Sequence, residues 1–327
     1  MGSQFVDFNA DGIIDIVTGT FDGSPHVAYG IKGGFEEPGH ILDKNGDRIL
    51  LGQFWDFPNV KWVDTEKPQC TSAVAYDWDN DGDFDLLLGE YSGGNMYLHL
   101  NEGKAGQASF SGKNQMIHAG GKPFELKKGV TTPRLVDWNT DGLMDLVIGS
   151  FGDTYTAEPG GGVYLYLNSG KLGAPEFDAA ITLLAPQKPT DESQVRPHVG
   201  LYADPVDVDG DGDLDLIVGG YSIWHPPTRE LNAEETLELS QLRKKQRELQ
   251  SEQREMRSDL NGLEDDERKA RWKEISRSEE YTSVAQALKI AAKRITELSP
   301  GRQRVSGVWI YLQNEGGVVA SPASAQR

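Results

Sequence analysis

The chain of 327 residues carries 51 Asp and Glu against 32 Lys and Arg, a formal net charge of -19, which opposes binding to nucleic-acid backbones and to anionic membranes. Its single cysteine, Cys70, excludes intramolecular disulfides and zinc–cysteine clusters. No run is apolar and long enough to insert in a membrane or to form a signal-peptide core.

Four copies of one acidic loop run through the chain, starting at Asp7, Asp77, Asp137 and Asp207. Each reads Asp-x-(Asp/Asn)-x-Asp-Gly-x-x-Asp: Asp7/Asn9/Asp11/Asp15, Asp77/Asp79/Asp81/Asp85, Asp137/Asn139/Asp141/Asp145 and Asp207/Asp209/Asp211/Asp215. Side chains at loop positions one, three, five and nine can surround a hard cation with oxygens, helped by the position-seven backbone carbonyl of Ile13, Asp83, Leu143 and Asp213; that is calcium chemistry. Glycine at position six (Gly12, Gly82, Gly142, Gly212) permits the sharp turn this requires. Unneutralised, these carboxylates repel one another, so about four structural Ca²⁺ ions are expected. An EF-hand is excluded, because position twelve holds Thr18, Leu88, Ile148 and Val218 where that motif needs a bidentate Glu.

The residues after each loop (Ile14–Gly19, Phe84–Gly89, Met144–Gly149, Leu214–Gly219) are short apolar runs ended by glycine, which predict buried strands. An aromatic follows two residues later in every copy: Phe21, Tyr91, Phe151 and Tyr221. A third strand is predicted at Val27–Ile31, Met96–Leu100, Val163–Leu167 and Val308–Leu312, three of them ending in Asn101-Glu102-Gly103, Asn168-Ser169-Gly170 and Asn314-Glu315-Gly316. Each unit therefore reads as strand, acidic loop, strand, hairpin, strand and an outer fourth strand, a period that suggests propeller blades. On these loops, followed by apolar-Gly-x-(Phe/Tyr), residues 5–225 and 305–316 resemble the FG-GAP/VCBS repeats of bacterial proteins and of integrin α-subunit propellers. The resemblance implies an all-β fold: a calcium-binding β-propeller of four-stranded antiparallel blades, in a secreted or surface protein that binds proteins or glycans. Only four loops are present and residues 2–6 leave little room for a first strand, so a shortened N-terminus is expected, with any leader outside this chain.

Between Tyr221 and Val308 the sequence turns helical. Asn232 with Glu235 forms a capping box, Leu242, Leu249, Met256 and Leu263 recur at seven, and Leu239 and Leu260 add a second row. A second run carries Tyr281, Val284, Leu288, Ala291, Ile295 and Leu298, and Ser299-Pro300-Gly301 stops it. Two antiparallel helices meeting near Asn261-Gly262 are expected, an arm about 40 Å long. The expected division is residues 1–228 for the propeller blades, 229–303 for the inserted helical hairpin, 304–316 for the return strand and 317–327 for a flexible tail.

The arm falls at the end of the blades opposite the acidic loops, where the resemblance implies ligand binding. Arg134, Arg196, His198, Tyr155, Glu158, Trp224 and His225 are the candidate contacts there. The six histidines (26, 40, 99, 118, 198, 225) show no metal-ligand spacing along the chain, and no Gly-x-Ser-x-Gly or P-loop pattern occurs. The reading is an extracytoplasmic recognition module for a protein or glycan, with structural calcium and no nucleic-acid or membrane partner. A calcium-dependent propeller enzyme of the polysaccharide lyase or phosphatase type is the alternative, and an architectural component self-associating through the helical arm is the third. Ligand identity, blade number and oligomeric state are not legible.

Overall fold

The computed structural model describes every residue except 1, 21, 52–53, 57–60, 64–69, 92, 127–128, 153–159, 188–195, 225, 227, 315–316 and 319–327. The chain is mostly β, in several small antiparallel sheets, with three helices. Its described residues fall into two compact units: one takes the chain to Ile223 and again from Arg304, the other is Trp224–Gln303.

Four sheets make up the first unit's framework. The first contains β1 (Ser3–Val6), β2 (Asp15–Gly19), β3 (Pro25–Ala28) and β4 (Gly39–His40), side by side in that order. The second contains β5 (Cys70–Tyr76), β6 (Asp85–Glu90), β7 (Met96–His99) and β8 (Gln115–Met116). The third is β9 (Val130–Val136), β10 (Asp145–Ser150), β11 (Val163–Tyr166) and β12 (Ile181–Leu184). The fourth joins β13 (Val199–Val206) and β14 (Asp215–Trp224) to β15 (Gln303–Tyr311), which returns after the helical unit. Each acidic loop links the first two strands of its sheet, and the strand pair closes on the same register every time: Val6↔Asp15, Tyr76↔Asp85, Val136↔Asp145 and Val206↔Asp215. Against the expectation of too little room, Ser3–Val6 is a full partner of β2, pairing from Ser3↔Thr18 onward.

The second strands of the second and third sheets are continuous apolar runs because both their faces are covered, whereas those of the first and fourth alternate buried and half-buried residues. Side chains alternate across a sheet, and here they serve two different cores. Leu86 and Leu88 join residues of the first sheet around Val17 and Phe110. Leu87 joins Leu146 and Ile148 of the third sheet, whereas Val147, between those two, packs with Leu201, Leu216 and Val218 of the fourth. All six side chains from Leu86–Leu88 and Leu146–Ile148 are fully buried. The sheets thus stack in series, first on second, second on third, third on fourth. Among the described residues, no strand pairing joins the fourth back to the first. The repeated aromatics run along this stack: Tyr91 meets Phe151 edge-on at 5.3 Å, Phe151 meets Tyr221 at 6.5 Å, and the Arg304 guanidinium caps Tyr221 at 3.7 Å. Phe21 lies outside the described residues.

The second unit holds three helices where two were expected: α1 (Ala233–Ser258), α2 (Asp265–Ile275) and α3 (Glu279–Leu298). The extra break has a local cause. Ser278 caps α3, its hydroxyl accepting from the Tyr281 N–H at 3.1 Å, ahead of Glu279 and Glu280 in the first turn. α3 runs antiparallel to α1, with Arg294 gripping Glu238 at 2.7 and 2.9 Å near one end and Arg257 lying against the edge-on pair Trp272 and Tyr281 at the other. The capping box is present: the Asn232 side chain accepts from the Glu235 N–H at 2.9 Å, and Glu235 accepts from the Asn232 N–H at 3.1 Å. Asn232→Ala removes the cap and should cost about 1 kcal/mol of helical-unit stability, read as a lower melting temperature by circular dichroism at the helix minimum; an unchanged melt contradicts this assignment.

Candidate metal centres

The loops repeat in their bonding as well as their letters. The first Asp of each turns its carboxylate back over the loop: Asp7, Asp77 and Asp137 accept from the backbone N–H groups of positions five and six at 2.9 to 3.1 Å, and Asp207 accepts from Gly210 and Gly212. The fifth-position Asp accepts from the N–H of position seven in all four. Position four is left-handed throughout, with φ of 57° at Ala10, 61° at Asn80, 59° at Thr140 and 81° at Gly210. These are all the non-glycine residues with positive φ among those described. Such strain, about 1–3 kcal/mol per residue, persists where the surroundings enforce it, and ligand clamps are one such place.

The ninth Asp does two jobs. Asp15, Asp85, Asp145 and Asp215 are at most 2% exposed. One oxygen accepts from the loop's second residue: Phe8, Trp78, Trp138 and Val208 donate at 2.9, 2.8, 2.9 and 2.9 Å. The other accepts from the chain two residues beyond the third strand: Gly30, Asn101, Asn168 and Gln313 donate at 2.7, 2.7, 2.7 and 2.8 Å. A carboxylate oxygen retains acceptor capacity beyond one such bond. Asp85 also lies with Asp77 and Asp79, and Asp215 with Asp207 and Asp209, each trio offering three oxygens within 4.8 Å of one another. Those trios have the composition and spread of a hard-cation site.

Two kinds of loop are distinguishable. In the first and third, Asn9 and Asn139 donate their amides to Asp11 and Asp141 at 2.9 Å, so the loop satisfies itself. The second and fourth instead carry Asp at positions three and seven, five carboxylates each. Asp83 is 4% exposed with both carboxylate oxygens unpaired, and one oxygen of Asp213 is buried without a partner. Burial, then repulsion from Asp81, Asp85, Asp79 and Asp77, pushes Asp83 up to about 6. Burial likewise raises Asp85 and Asp145, against the pull of their backbone donors.

Residues 77–148, from the second loop through the third, match the family model of the FG-GAP-like repeat. That stretch carries an FG-GAP-like repeat. No curated protein matches it in sequence. The first and fourth loops lie outside the matched span and share with it the bond from position six to the first Asp and the two bonds to the ninth.

The residues nominated for the opposite end scatter in environment. Arg134 pairs with Asp204 of the neighbouring sheet at 2.8 Å. Arg196 donates to the Ala185 carbonyl at 2.8 Å. His198 is 1% exposed, and burial followed by the Arg196 charge lowers its pKa. Trp224 ends β14; Tyr155, Glu158 and His225 lie outside the described residues.

Sequence spacing missed one cluster at this end. β3 and β4 pair His26 with His40, and the turn before β3 supplies Asp22. Both imidazole Nε2 atoms reach the same Asp22 oxygen, at 3.0 and 2.9 Å. Burial raises Asp22, but hydrogen bonds from Thr20, His40 and His26 outweigh it and hold the carboxyl down at about 2. The histidines are fourteen residues apart in sequence, so only the strand pairing reveals them; the Asp22-x-x-x-His26 spacing was the one local signal.

Asp145→Ala strands the Trp138 and Asn168 donors and should cost about 2–5 kcal/mol in urea unfolding of the metal-free protein, whereas Asp141→Ala, at an exposed position, should cost under about 1 kcal/mol; equal effects contradict the dual role. Asp83 binds its proton more tightly folded than unfolded, so its contribution disfavours folding above about 6 and the penalty fades as pH falls towards 4. Metal-free Asp83→Asn should therefore exceed the parent by roughly 1–3 kcal/mol at pH 7 and converge with it in acid; a gap independent of pH contradicts this.

Proposed function

We propose that the first unit is a calcium-braced propeller that recognises a protein or glycan outside the cytoplasm. The observation that carries this reading is the ninth Asp, buried four times over, which couples a cation-ready loop to the turn after the neighbouring third strand. The cation in each loop is held by Asp7, Asn9, Asp11 and Asp15; by Asp77, Asp79, Asp81 and Asp85; by Asp137, Asn139, Asp141 and Asp145; and by Asp207, Asp209, Asp211 and Asp215. The position-seven carbonyls of Ile13, Asp83, Leu143 and Asp213 complete each set. Bound calcium supplies charge neutralisation, not reaction chemistry. The donors are all hard oxygens, the set calcium prefers, and four ions would cut the formal charge from -19 to about -11. Serial stacking of like sheets, each offering its turns at one common end, is the arrangement from which propellers build a recognition face.

Extracellular calcium modules bind at about 10⁻⁴–10⁻³ M, and an affinity in that range would support a working location where calcium is abundant. Ligand contact is assigned to the end opposite the acidic loops, with Arg196 as the residue tested first; Arg134, two residues from the acidic-loop end of β9, falls outside that end, and Trp224, Tyr155, Glu158 and His225 remain candidates on sequence position alone. Native mass spectrometry should count about four calcium ions, falling by one in Asp77→Ala/Asp79→Ala. Capture on glycan and extracellular-protein arrays should need calcium and should fail in Arg196→Ala at an unchanged melting temperature. A chain that binds no calcium sinks the metal reading, and calcium-independent capture sinks the coupling of metal to recognition.

A further inference from the structure

We propose that Asp22, His26 and His40 form a binding site for one divalent transition-metal ion of the zinc class, separate from the acidic loops. The inference stands whether or not those loops take calcium. Two imidazole nitrogens and a carboxylate oxygen, from one turn and two adjacent strands, are an intermediate-softness donor set, suited to zinc and unlike the all-oxygen loops. His26 and His40 are cross-strand partners with ring centroids 4.3 Å apart, and both present Nε2 to Asp22 Oδ2. The contacts of 3.0 and 2.9 Å lie close to the edge of a coordination tetrahedron, about 3.3 Å for metal–ligand bonds of 2.0–2.1 Å.

The carboxylate is held in place from behind. Its other oxygen accepts from the Thr20 hydroxyl and from the Ser24 N–H at 3.1 Å, the outer-shell support that fixes a metal ligand's orientation. The site is also reachable: the side chains of His26, His40 and Asp22 are 16%, 34% and 39% exposed. A three-residue set leaves a fourth position open for water or for a donor from a bound partner.

Arg48 is the counter-charge of the metal-free state. Its guanidinium reaches Asp22 Oδ2 at 3.1 Å, yet it also donates to Ser24 Oγ at 2.9 Å and to the Asp22 carbonyl at 3.1 Å. It can give up the carboxylate and keep two partners. Competition between Arg48 and a divalent ion for one oxygen follows from this geometry, and a hydrogen-bonded brace without metal affinity has no such competition.

The test titrates Co²⁺, and then Zn²⁺, into the full chain with excess Ca²⁺ present to fill the loops. One equivalent of Co²⁺ should give the intense visible bands of a four-coordinate nitrogen–oxygen site, and one equivalent of Zn²⁺ should abolish them. His26→Ala and His40→Ala should each weaken binding by more than the roughly 10–100-fold that outer-shell partners carry. Arg48→Met, which keeps all three ligands, should tighten it. No bands, bands of an octahedral all-oxygen ion, or affinity unmoved by the histidine variants overturns the proposal. Should the histidine variants fail to fold, weaker or unchanged binding in Arg48→Met overturns it alone.

Discussion

One buried carboxylate per repeat carries the architecture. Asp15, Asp85, Asp145 and Asp215 each sit at the start of a second strand and accept from the loop before it and from the chain beyond the third strand. A charge so buried is costly unless hydrogen-bonded, and backbone donors satisfy it. The bond therefore fixes three segments relative to one another: the loop, the central strand and the turn after its neighbour. In the fourth sheet the third segment arrives 98 residues later, after the helical unit, and Gln313 still makes the same contact. The insertion leaves this tie intact because the tie depends on where the strand returns.

The loops divide by how far they satisfy themselves. Asn9 and Asn139 quench a neighbouring carboxylate with an amide, while the second and fourth loops concentrate five carboxylates and leave buried oxygens of Asp83 and Asp213 unpaired. Without a cation, the second and fourth are the stressed members of the set. Adjoining cores run between them, from sheet two through sheet four. Metal dependence should accordingly be uneven along one chain even though the motif is repeated.

Much of this was legible in the letters. The spacing of Asp and Gly located every loop, and the apolar runs located every second strand, most plainly in the second and third sheets, where a strand covered on both faces has no polar positions to interrupt it. The capping box at Asn232 was equally plain. What the letters hid was geometry. The ninth Asp reads as one more ligand, and nothing local announces that it holds Asn168 or Gln313. The left-handed fourth position is signalled only by Asn80 and Gly210, since Ala10 and Thr140 are poor predictors of positive φ. The break at Ser278 was missed because the apolar spacing of the second run starts only at Tyr281, beyond it, and His26 and His40 became neighbours only through the pairing of β3 with β4. FG-GAP-like spacing identified the framework, while the chemistry outside the motif needed the fold.

The most direct measurement is amide hydrogen exchange at Gly30, Asn101, Asn168 and Gln313, resolved residue by residue with calcium present and after its removal. If the ninth carboxylates tie loop to sheet, these four amides are among the slowest outside the strand ladders, and all four accelerate together with their loops when calcium is stripped. Exchange as fast as in exposed turns, or protection indifferent to the metal, would contradict the account.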